Sequence, residues 1–354
     1  MLIVRAPVRI SFFGGGTDLP SYYNQHGGAV LSASINKYFY TLVTELEDRK
    51  VQLISADLRV MQTLDSLRPD ALEGDLQIPI AAIQYIELDR GANIFLASEI
   101  PPGTGLGSSG AVAVCIVKAL STFQQRHFDR YALAEAAYHI NTAMLGHPGG
   151  KQDEYGSAFG GLKYIEFVQE GVIVRPLDLD PAVLRELDAN IMLFFTGSSR
   201  ASASILERQK KESAEQKQST IEALAYLKQQ AADALDVLES GDLRAFGEMM
   251  HDAWETKKRV TEGITNPHID ELYGLARANG AIGGKIAGAG GGGFLMLYCE
   301  EEARPAVARA MRDAGAREML FRFDYDGATV VYDEPFFGNA GQAAGMDWHL
   351  VELT

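Results

Sequence analysis

The segment Pro101-Pro102-Gly103-Thr104-Gly105-Leu106-Gly107-Ser108-Ser109-Gly110 constrains this chain more than any other. It joins a strand-like run, Asn93 to Ser98, to the apolar run Ser108 to Phe123, which has no breaker beyond Gly110 and reads as a buried helix. A loop so placed gathers backbone N–H groups at a helix N-terminus, where the partial positive charge favours a phosphate. A glycine turn that only packs helix on strand is the competing account for such a loop standing alone. Three familiar phosphate loops fail on context. A Walker A loop needs Lys where Ser108 stands. Gly105-x-Gly107-x-x-Gly110 imitates a dinucleotide fingerprint, but its helix runs into another helix instead of a second parallel strand ending in an acid. Extended to Val112, the letters fit the glycine loop of protein kinases, whose V-A-I-K, H-R-D and D-F-G signatures are missing.

Glycine is also concentrated elsewhere. It makes up 36 of 354 residues, above the usual share of about 7%, with clusters at Gly14-Gly15-Gly16, Gly149-Gly150, Gly160-Gly161, and Gly288 with Gly290 to Gly293. Such clusters mark tight turns or backbone brought close to something. Between them the pattern predicts strands at Leu2 to Ala6, Tyr38 to Glu45, Val51 to Ser55 and Gly161 to Val168. A helix capped by Asp129 should run to Gly146, with Pro148 beyond. The character changes near Arg175 to Pro181. There follow a strand at Asn190 to Thr196, a long polar helical stretch from Ala201 to Leu238, and helices at Asp242 to Thr261 and His268 to Asn279. A strand at Phe294 to Cys299, a helix at Glu301 to Ala314, and strands near Leu320 to Asp324 and Thr329 to Tyr332 complete the order. This mixture predicts an α+β fold with helices on one side of a largely antiparallel sheet. Residues from Gly338 to Thr354 show no periodicity.

With 32 basic and 47 acidic side chains the net charge is −15, an unfavourable field for nucleic acid and for acidic membrane surfaces. Neither is an expected partner. No apolar run reaches the roughly 18 residues of a membrane span, and Met1-Leu2-Ile3-Val4-Arg5 runs into a strand pattern rather than a signal peptide. The expected location is the cytoplasm. Cys115 and Cys299 lie in apolar runs and read as buried small hydrophobes. The histidines show no metal spacing, and His127, His139 and His147 read as surface or loop residues.

Three motifs, taken in order, carry a family likeness. Ala6-Pro7-Val8-Arg9-Ile10-Ser11-Phe12-Phe13-Gly14-Gly15-Gly16-Thr17-Asp18, the Pro101 to Gly110 loop, and Lys285-Ile286-Ala287-Gly288-Ala289-Gly290-Gly291-Gly292-Gly293 resemble the galactokinase, homoserine kinase, mevalonate kinase and phosphomevalonate kinase (GHMP) family. The likeness spans about residues 2 to 333. The segments Gly149 to Gly161 and Thr196 to Leu206 resemble those of its bacterial heptose 7-phosphate kinases. The resemblance implies a ribosomal-protein-S5-like N-terminal domain over residues 1–175, a ferredoxin-like C-terminal domain over 176–337, and a tail of unassigned role over 338–354. It also implies an ATP site between the two domains, Mg²⁺ as metal and a sugar phosphate as partner.

Residue by residue, the resemblance makes Asp153 the catalytic aspartate and Arg9 the active-site basic residue. Phosphoryl transfer depends mostly on positioning and charge stabilisation, and a carboxylate beside a sugar hydroxyl can act as general base or through its charge. Arg9, just after the first predicted strand, would hold Asp153 ionised. Pro102, Gly103, Gly105, Leu106, Gly107, Ser108, Ser109 and Gly110 would bind ATP. Gly15, Gly16, Thr17, Asp18, Gly290 and Gly291 would face the substrate, while Lys151 and Arg200 would hold the substrate's own phosphate. Asp153 and Asp18 in plain turns, and Ser108 or Ser109 as a helix cap, are the competing accounts. Ser108, Ser109 and Asn141 would hold Mg²⁺. At Asn141 the family usually has glutamate, so a weaker hold on Mg²⁺ is expected; Glu135, six residues away on a helix, lies on a different face. The implied reaction is ATP-dependent phosphorylation of a heptose 7-phosphate at its anomeric hydroxyl. An anomeric kinase for a free sugar such as L-fucose and a catalytically silent nucleotide-binding protein are the rival readings.

Overall fold

Along β1 (Leu2–Phe13) the first side chains alternate between buried and half-buried, and from Ala6 onward both faces are covered. That pattern belongs to a strand that starts on a half-open sheet and ends between two layers. The computed structural model describes residues 1–65, 72–197 and 203–334. After α1 (Pro20–His26), the 19-residue strand β2 (Gly28–Leu46) pairs with β1 along its length and forks on its other edge. Its first residues take β6 (Leu162–Val168), its last take β5 (Gly91–Ser98). Pro7 sits where the β1–β2 register shifts, one of few places where a strand tolerates a residue with no N–H.

The first sheet runs β12-β1-β2-β5-β3-β4, with β3 at Val51–Ser55, β4 at Val60–Leu64 and β12 at Thr329–Asp333; β6 and β7 (Gly171–Pro176) extend the fork. Only β3–β5 is parallel. Behind it lie α2 (Gln77–Ile86), α3 (Ser108–Phe123), α4 (Arg130–His139) and α5 (Gln152–Phe159). Helix α3 packs on β1 and β2 on one side and on α2, α4 and α5 on the other. It is therefore largely apolar and buried, with Ser109 exposed and Lys118 and Thr122 half-buried.

The second sheet has the order β11-β8-β10-β9, all antiparallel, with β8 at Ile191–Phe195, β9 at Gly283–Ile286, β10 at Phe294–Tyr298 and β11 at Arg317–Met319. In chain order this is 4-1-3-2, the split βαβ arrangement of ferredoxin-like folds. Helices α7 (Ala203–Ala214), α8 (Gln218–Ser240), α9 (Leu243–Lys257) and α10 (Pro267–Ala278) fill its first crossover, and α11 (Arg304–Asp313) its second; α6 (Pro181–Asn190) leads into β8. Phe12 and Phe13 at the end of β1 meet Phe246 of α9 edge-on, centroids 5.4 and 5.1 Å apart. Such contacts, worth about 0.5–1.5 kcal/mol beyond area burial, tie the two sheets together beside the glycine-rich loops.

The α+β class and the ferredoxin-like order follow the sequence reading, and so does Asp129, whose carboxylate accepts from Ala132 N at 2.7 Å to cap α4. Both cysteines are buried and free. Several elements differ. β1 continues to Phe13, so Arg9 lies within the strand and not after it. The run at Tyr38 to Glu45 is the second half of β2. The helix expected to reach Gly146 ends at His139 and passes into a single π-turn, Ile140–Met144. The stretch to Leu238 breaks between α7 and α8, where Gln216 adopts φ +53°. Residues 320–324 form no strand: β11 precedes them, and only Phe323 bridges, to Ile35. The predicted strand at 329–332 exists but joins the first sheet, beside β1. Among the described residues no helix is long and apolar enough to cross a membrane.

Candidate active site

Arg9 projects from β1, whose own N–H at this residue donates to Leu106 O at 3.0 Å, so the strand and the glycine loop are locked in register. Its guanidinium is almost wholly enclosed, at 4% side-chain exposure. Nε donates to Asp153 Oδ1 at 2.8 Å, Nη2 donates to the same oxygen, and Nη1 donates to Gly105 O at 2.8 Å. One cation thus joins β1, the loop and α5. Asp153 occupies the first turn of α5, so it stands on a helix and not in a turn. Its side chain retains 27% exposure, toward the cavity.

Close backbone approach explains the glycines here. A Cβ on Gly110 would fall 2.7 Å from Asp153 Cβ and 2.9 Å from its carbonyl carbon, so α3 meets α5 at a distance no side chain permits. A Cβ on Gly105, at φ +84°, would fall 2.4 Å from Ala287 O. The loop and the C-terminal glycine segment therefore interlock, helped by the Phe294 N to Thr104 O bond at 3.2 Å. Gly107 caps α3 through its backbone with no side-chain bond, leaving Ser108 and Ser109 in the helix's first turn. Neither serine is the cap.

These elements enclose a cavity of about 520 Å³. Phe39, Leu96, Ile100, Pro79 and Val112 give its lining an apolar part; Arg9, Asp153, Asp18 and the α3 N-terminus give it a polar one. Of the residues expected to bind ATP, Pro102, Gly103, Gly105, Gly107, Ser108 and Ser109 line it, whereas Leu106 is in the core and Gly110 is covered by α5.

The substrate set divides as well. Gly16 and Asp18 line the cavity. Asp18 is buried; it accepts from Gly16 N at 2.9 Å and from Gln152 Nε2 at 3.0 Å and N at 3.2 Å, tying the Gly14–Asp18 turn to the start of α5. Burial, and then the charge of Asp153, raise its carboxyl above the ordinary range. Thr17 is fully buried, its hydroxyl bonded to the backbone of Gly14 and Ala29, so it holds the turn and does not reach the cavity. Gly15 is covered by Ser11, Lys257 and Gln152, and Gly290 and Gly291 pack against Ile264. Lys151 Nζ is committed to Glu135 Oε1 at 2.6 Å and lies over the Tyr138 ring, not in the cavity. Arg200 and the tail 338–354 lie outside the described residues.

Asn141 lines the cavity from the π-turn, donating Nδ2 to Glu154 Oε1 at 2.9 Å and to Ser109 O at 3.4 Å. Glu154 was not anticipated. It is buried, and burial followed by the Asp153 charge pushes its carboxyl well above its ordinary value, against the pull of the Asn141 bond. Also missed were Gln209 of α7, which donates to Gly16 O at 3.2 Å, and His147, which lines the cavity 3.2 Å from Gln77 Nε2. Two buried lysines back the site: Lys257 donates to Gly288 O at 2.7 Å and Lys285 to Phe12 O at 3.1 Å. Burial depresses both: Lys257 falls to about 8, with Asp18 opposing the shift, and Lys285 falls well below its ordinary value, the charges of Lys257 and Arg9 adding to the effect of burial. Only the glycine-rich neighbour of Lys285 could have signalled either. Among the described residues no three His, Cys, Asp or Glu side chains are grouped to hold a metal.

The family described as GHMP kinases N terminal domain matches residues 77–161, and GHMP kinases C terminal matches 232–317. The chain is 30% identical over 329 residues to D-glycero-alpha-D-manno-heptose 7-phosphate kinase of Campylobacter jejuni, covering 91% of this chain and 96% of that one. It is 26% identical over 350 residues to L-fucokinase/L-fucose-1-P guanylyltransferase of Bacteroides fragilis, covering 90% of this chain and 37% of that one. The crystal structure of a D-glycero-D-manno-heptose 1-phosphate kinase from Bacteroides thetaiotaomicron superposes with a TM-score of 0.80 at 29% identity, covering 94% of this chain and 100% of that one. Sequence, fold and site geometry agree, and the chain belongs to the GHMP kinase family.

Proposed function

We propose that this sugar kinase transfers the terminal phosphoryl group of ATP to the anomeric hydroxyl of a heptose 7-phosphate, giving the 1,7-bisphosphate. The observation that carries the reading is the Arg9–Asp153 pair, set in one wall of the cavity against the N-terminus of α3. In this reading the apolar wall of Phe39, Leu96 and Ile100 takes the base, and the N–H groups of Ser108 and Ser109 hold phosphate oxygens. Asp153 orients the acceptor hydroxyl and draws off its proton, while Arg9 keeps that carboxylate ionised and fixed. Asp18, held between the Gly14–Asp18 turn and Gln152, faces the sugar. Residues 1–175 would supply the nucleotide-binding part and 176–337 the part that closes over the acceptor.

Members of this family use ATP, typically with Mg²⁺. The donor set fits such an ion: Ser108 Oγ and Asn141 Oδ1 are buried with no hydrogen-bond partner among the described residues, and both are hard oxygen donors. When bound, Mg²⁺ neutralises charge on the transferred phosphoryl group.

Of the related proteins named above, the Campylobacter jejuni and Bacteroides thetaiotaomicron kinases carry a heptose phosphate in their names and differ in which phosphate it is, while the Bacteroides fragilis protein is named for L-fucose. One observation favours a free sugar instead: Lys151, assigned to the substrate's phosphate, is neutralised by Glu135. A coupled ADP-release screen over heptose 7-phosphate, heptose 1-phosphate, unphosphorylated heptose and L-fucose separates these readings. The proposal expects the 7-phosphate to lead in kcat/KM by a wide margin, and equal rates for phosphorylated and free sugars would refute it.

A further inference from the structure

Three polar atoms in one wall of the cavity are buried and lack any hydrogen-bond partner among the described residues: Ser108 Oγ, Asn141 Oδ1 and Glu154 Oε2. They come from three elements that meet there, the first turn of α3, the π-turn after α4 and the first turn of α5. Asn141 and Glu154 are each 4% exposed. The amide of Asn141 has a forced orientation, because both atoms facing its nitrogen, Glu154 Oε1 and Ser109 O, are acceptors. Its Oδ1 is thereby the atom of the amide left without a partner.

Unmade hydrogen bonds of this kind are costly, and three on residues that line one cavity where α3, the π-turn and α5 meet call for one explanation. A bound water could bridge two of them, but it would leave the third without a partner. The guanidinium that lines the cavity, Arg9, is already committed to Asp153 and Gly105. A divalent cation satisfies all three oxygens and the charge at once.

We propose that Glu154 supplies the carboxylate of this chain's magnesium site, with Asn141 Oδ1 and Ser108 Oγ as neutral ligands, and that Asn141 Nδ2 positions Glu154 for that task. The inference rests on the kinase reading above and deepens it. The negative charge expected at position 141 has not been lost from the site. It is carried thirteen residues on, by the neighbour of the catalytic aspartate, at hydrogen-bond distance from the amide that stands in its place. Glu135 takes no part, being held by Lys151 and by Tyr155, whose hydroxyl donates to it.

The test is Mn²⁺ binding followed by electron paramagnetic resonance, with and without the non-hydrolysable nucleotide AMP-PNP, on the full chain. Glu154→Gln, which keeps shape and can still pair with Asn141, should weaken Mn²⁺ binding by about tenfold or more. The exchange Asn141→Glu/Glu154→Gln should recover most of that loss, because it returns one carboxylate and one amide to the same pair of positions. It also serves as the informative variant if Glu154→Gln folds poorly. Unchanged Mn²⁺ affinity in Glu154→Gln, or no recovery in a folded exchange variant, overturns the assignment. AMP-PNP binding without metal keeps the two readings apart. Nucleotide binding with unaltered Mn²⁺ affinity in Glu154→Gln defeats only the metal assignment, whereas absence of both nucleotide binding and ADP release in the wild type defeats the kinase reading.

Discussion

Asp153 and Arg9 set a partly open carboxylate beside an enclosed guanidinium. Asp153→Asn keeps the α5 geometry and removes the charge, so kcat should fall by about 10² to 10⁴, while AMP-PNP affinity holds; turnover close to that of the wild type would remove Asp153 from the chemistry. A second charged residue offers a test of burial itself. Lys163 of β6 is fully buried, donating to Ser34 Oγ at 3.0 Å and Gly161 O at 2.8 Å, and burial lowers its ammonium to about 7, against the pull of Asp324. Below pH 7 the side chain is protonated in both folded and unfolded chains, and the folded state bears the whole desolvation cost. Between 7 and the ordinary value of 10.5 only the unfolded chain stays protonated, so that cost declines as pH rises, by up to about 1.4 kcal/mol per unit. Both acceptors keep other partners, because Ser34 Oγ donates to Gly156 O and Ser34 N to Gly161 O. Relative to Lys163→Met, the wild type should therefore gain stability in urea unfolding from pH 7 to 10, and a difference flat across that range would contradict the burial argument. Neither Lys163, Lys257 nor Glu154 stood out in the sequence. A charged residue in a strand or helix looks like surface until tertiary packing encloses it, whereas Arg9 and Asp153 could be found because they fall in segments that resemble the family's motifs.

At the scale of single elements, legibility followed whether a segment's ends were written in its own letters. Helix α3 runs Ser108–Phe123 as read, because glycines precede it and no polar face competes. The break between α7 and α8 carries no Gly or Pro and depends on Gln216 accepting a left-handed conformation. Helix α5 was hidden because its eight residues begin at Gln152 with no capping side chain. Helix α2 ends in the same unadvertised way, on Glu87 at φ +53°, with Glu87 N bonded to Gln84 O and Leu88 N to Ile83 O. A left-handed non-glycine residue at such a stop costs roughly 1–2 kcal/mol, partly offset by the greater chain entropy of glycine when unfolded. The Glu87 side chain is exposed. Glu87→Gly should therefore raise stability by about 0.5–1 kcal/mol and leave kcat unchanged, as denaturant melts and ADP release would show; a loss of stability would mean the Glu87 side chain does more than end the helix.

Over the whole molecule, the least legible fact is where the last strand goes. Residues 329–332 read correctly as a strand, but periodicity says nothing about which partner a strand selects. β12 crosses from the ferredoxin-like part back to the first sheet and pairs antiparallel with β1, from Leu2 opposite Asp333 to Arg5 opposite Thr329. The first residues of the long β1, which carries Arg9 further on, are thus interior to the sheet because β12 covers their outer edge. The side chains of β12 are half-buried or exposed, so the strand contributes backbone pairing far more than apolar burial. Removing it should open an edge more than it unpacks a core, and an uncovered edge is a template for pairing with another molecule. A chain ending after residue 327, compared with one ending after 334, should melt several degrees lower and associate in a concentration-dependent way, while kcat per folded monomer stays the same, since the lost pairs stop at Arg5, before Arg9. Sedimentation velocity across a concentration series, with thermal melts of both chains, checks this. Equal melting and equal sedimentation would mean that the β1 edge is protected by something other than β12. A fragment of residues 1–175, cut at the proposed division, leaves that edge open and should aggregate unless the segment carrying β12 is supplied in trans.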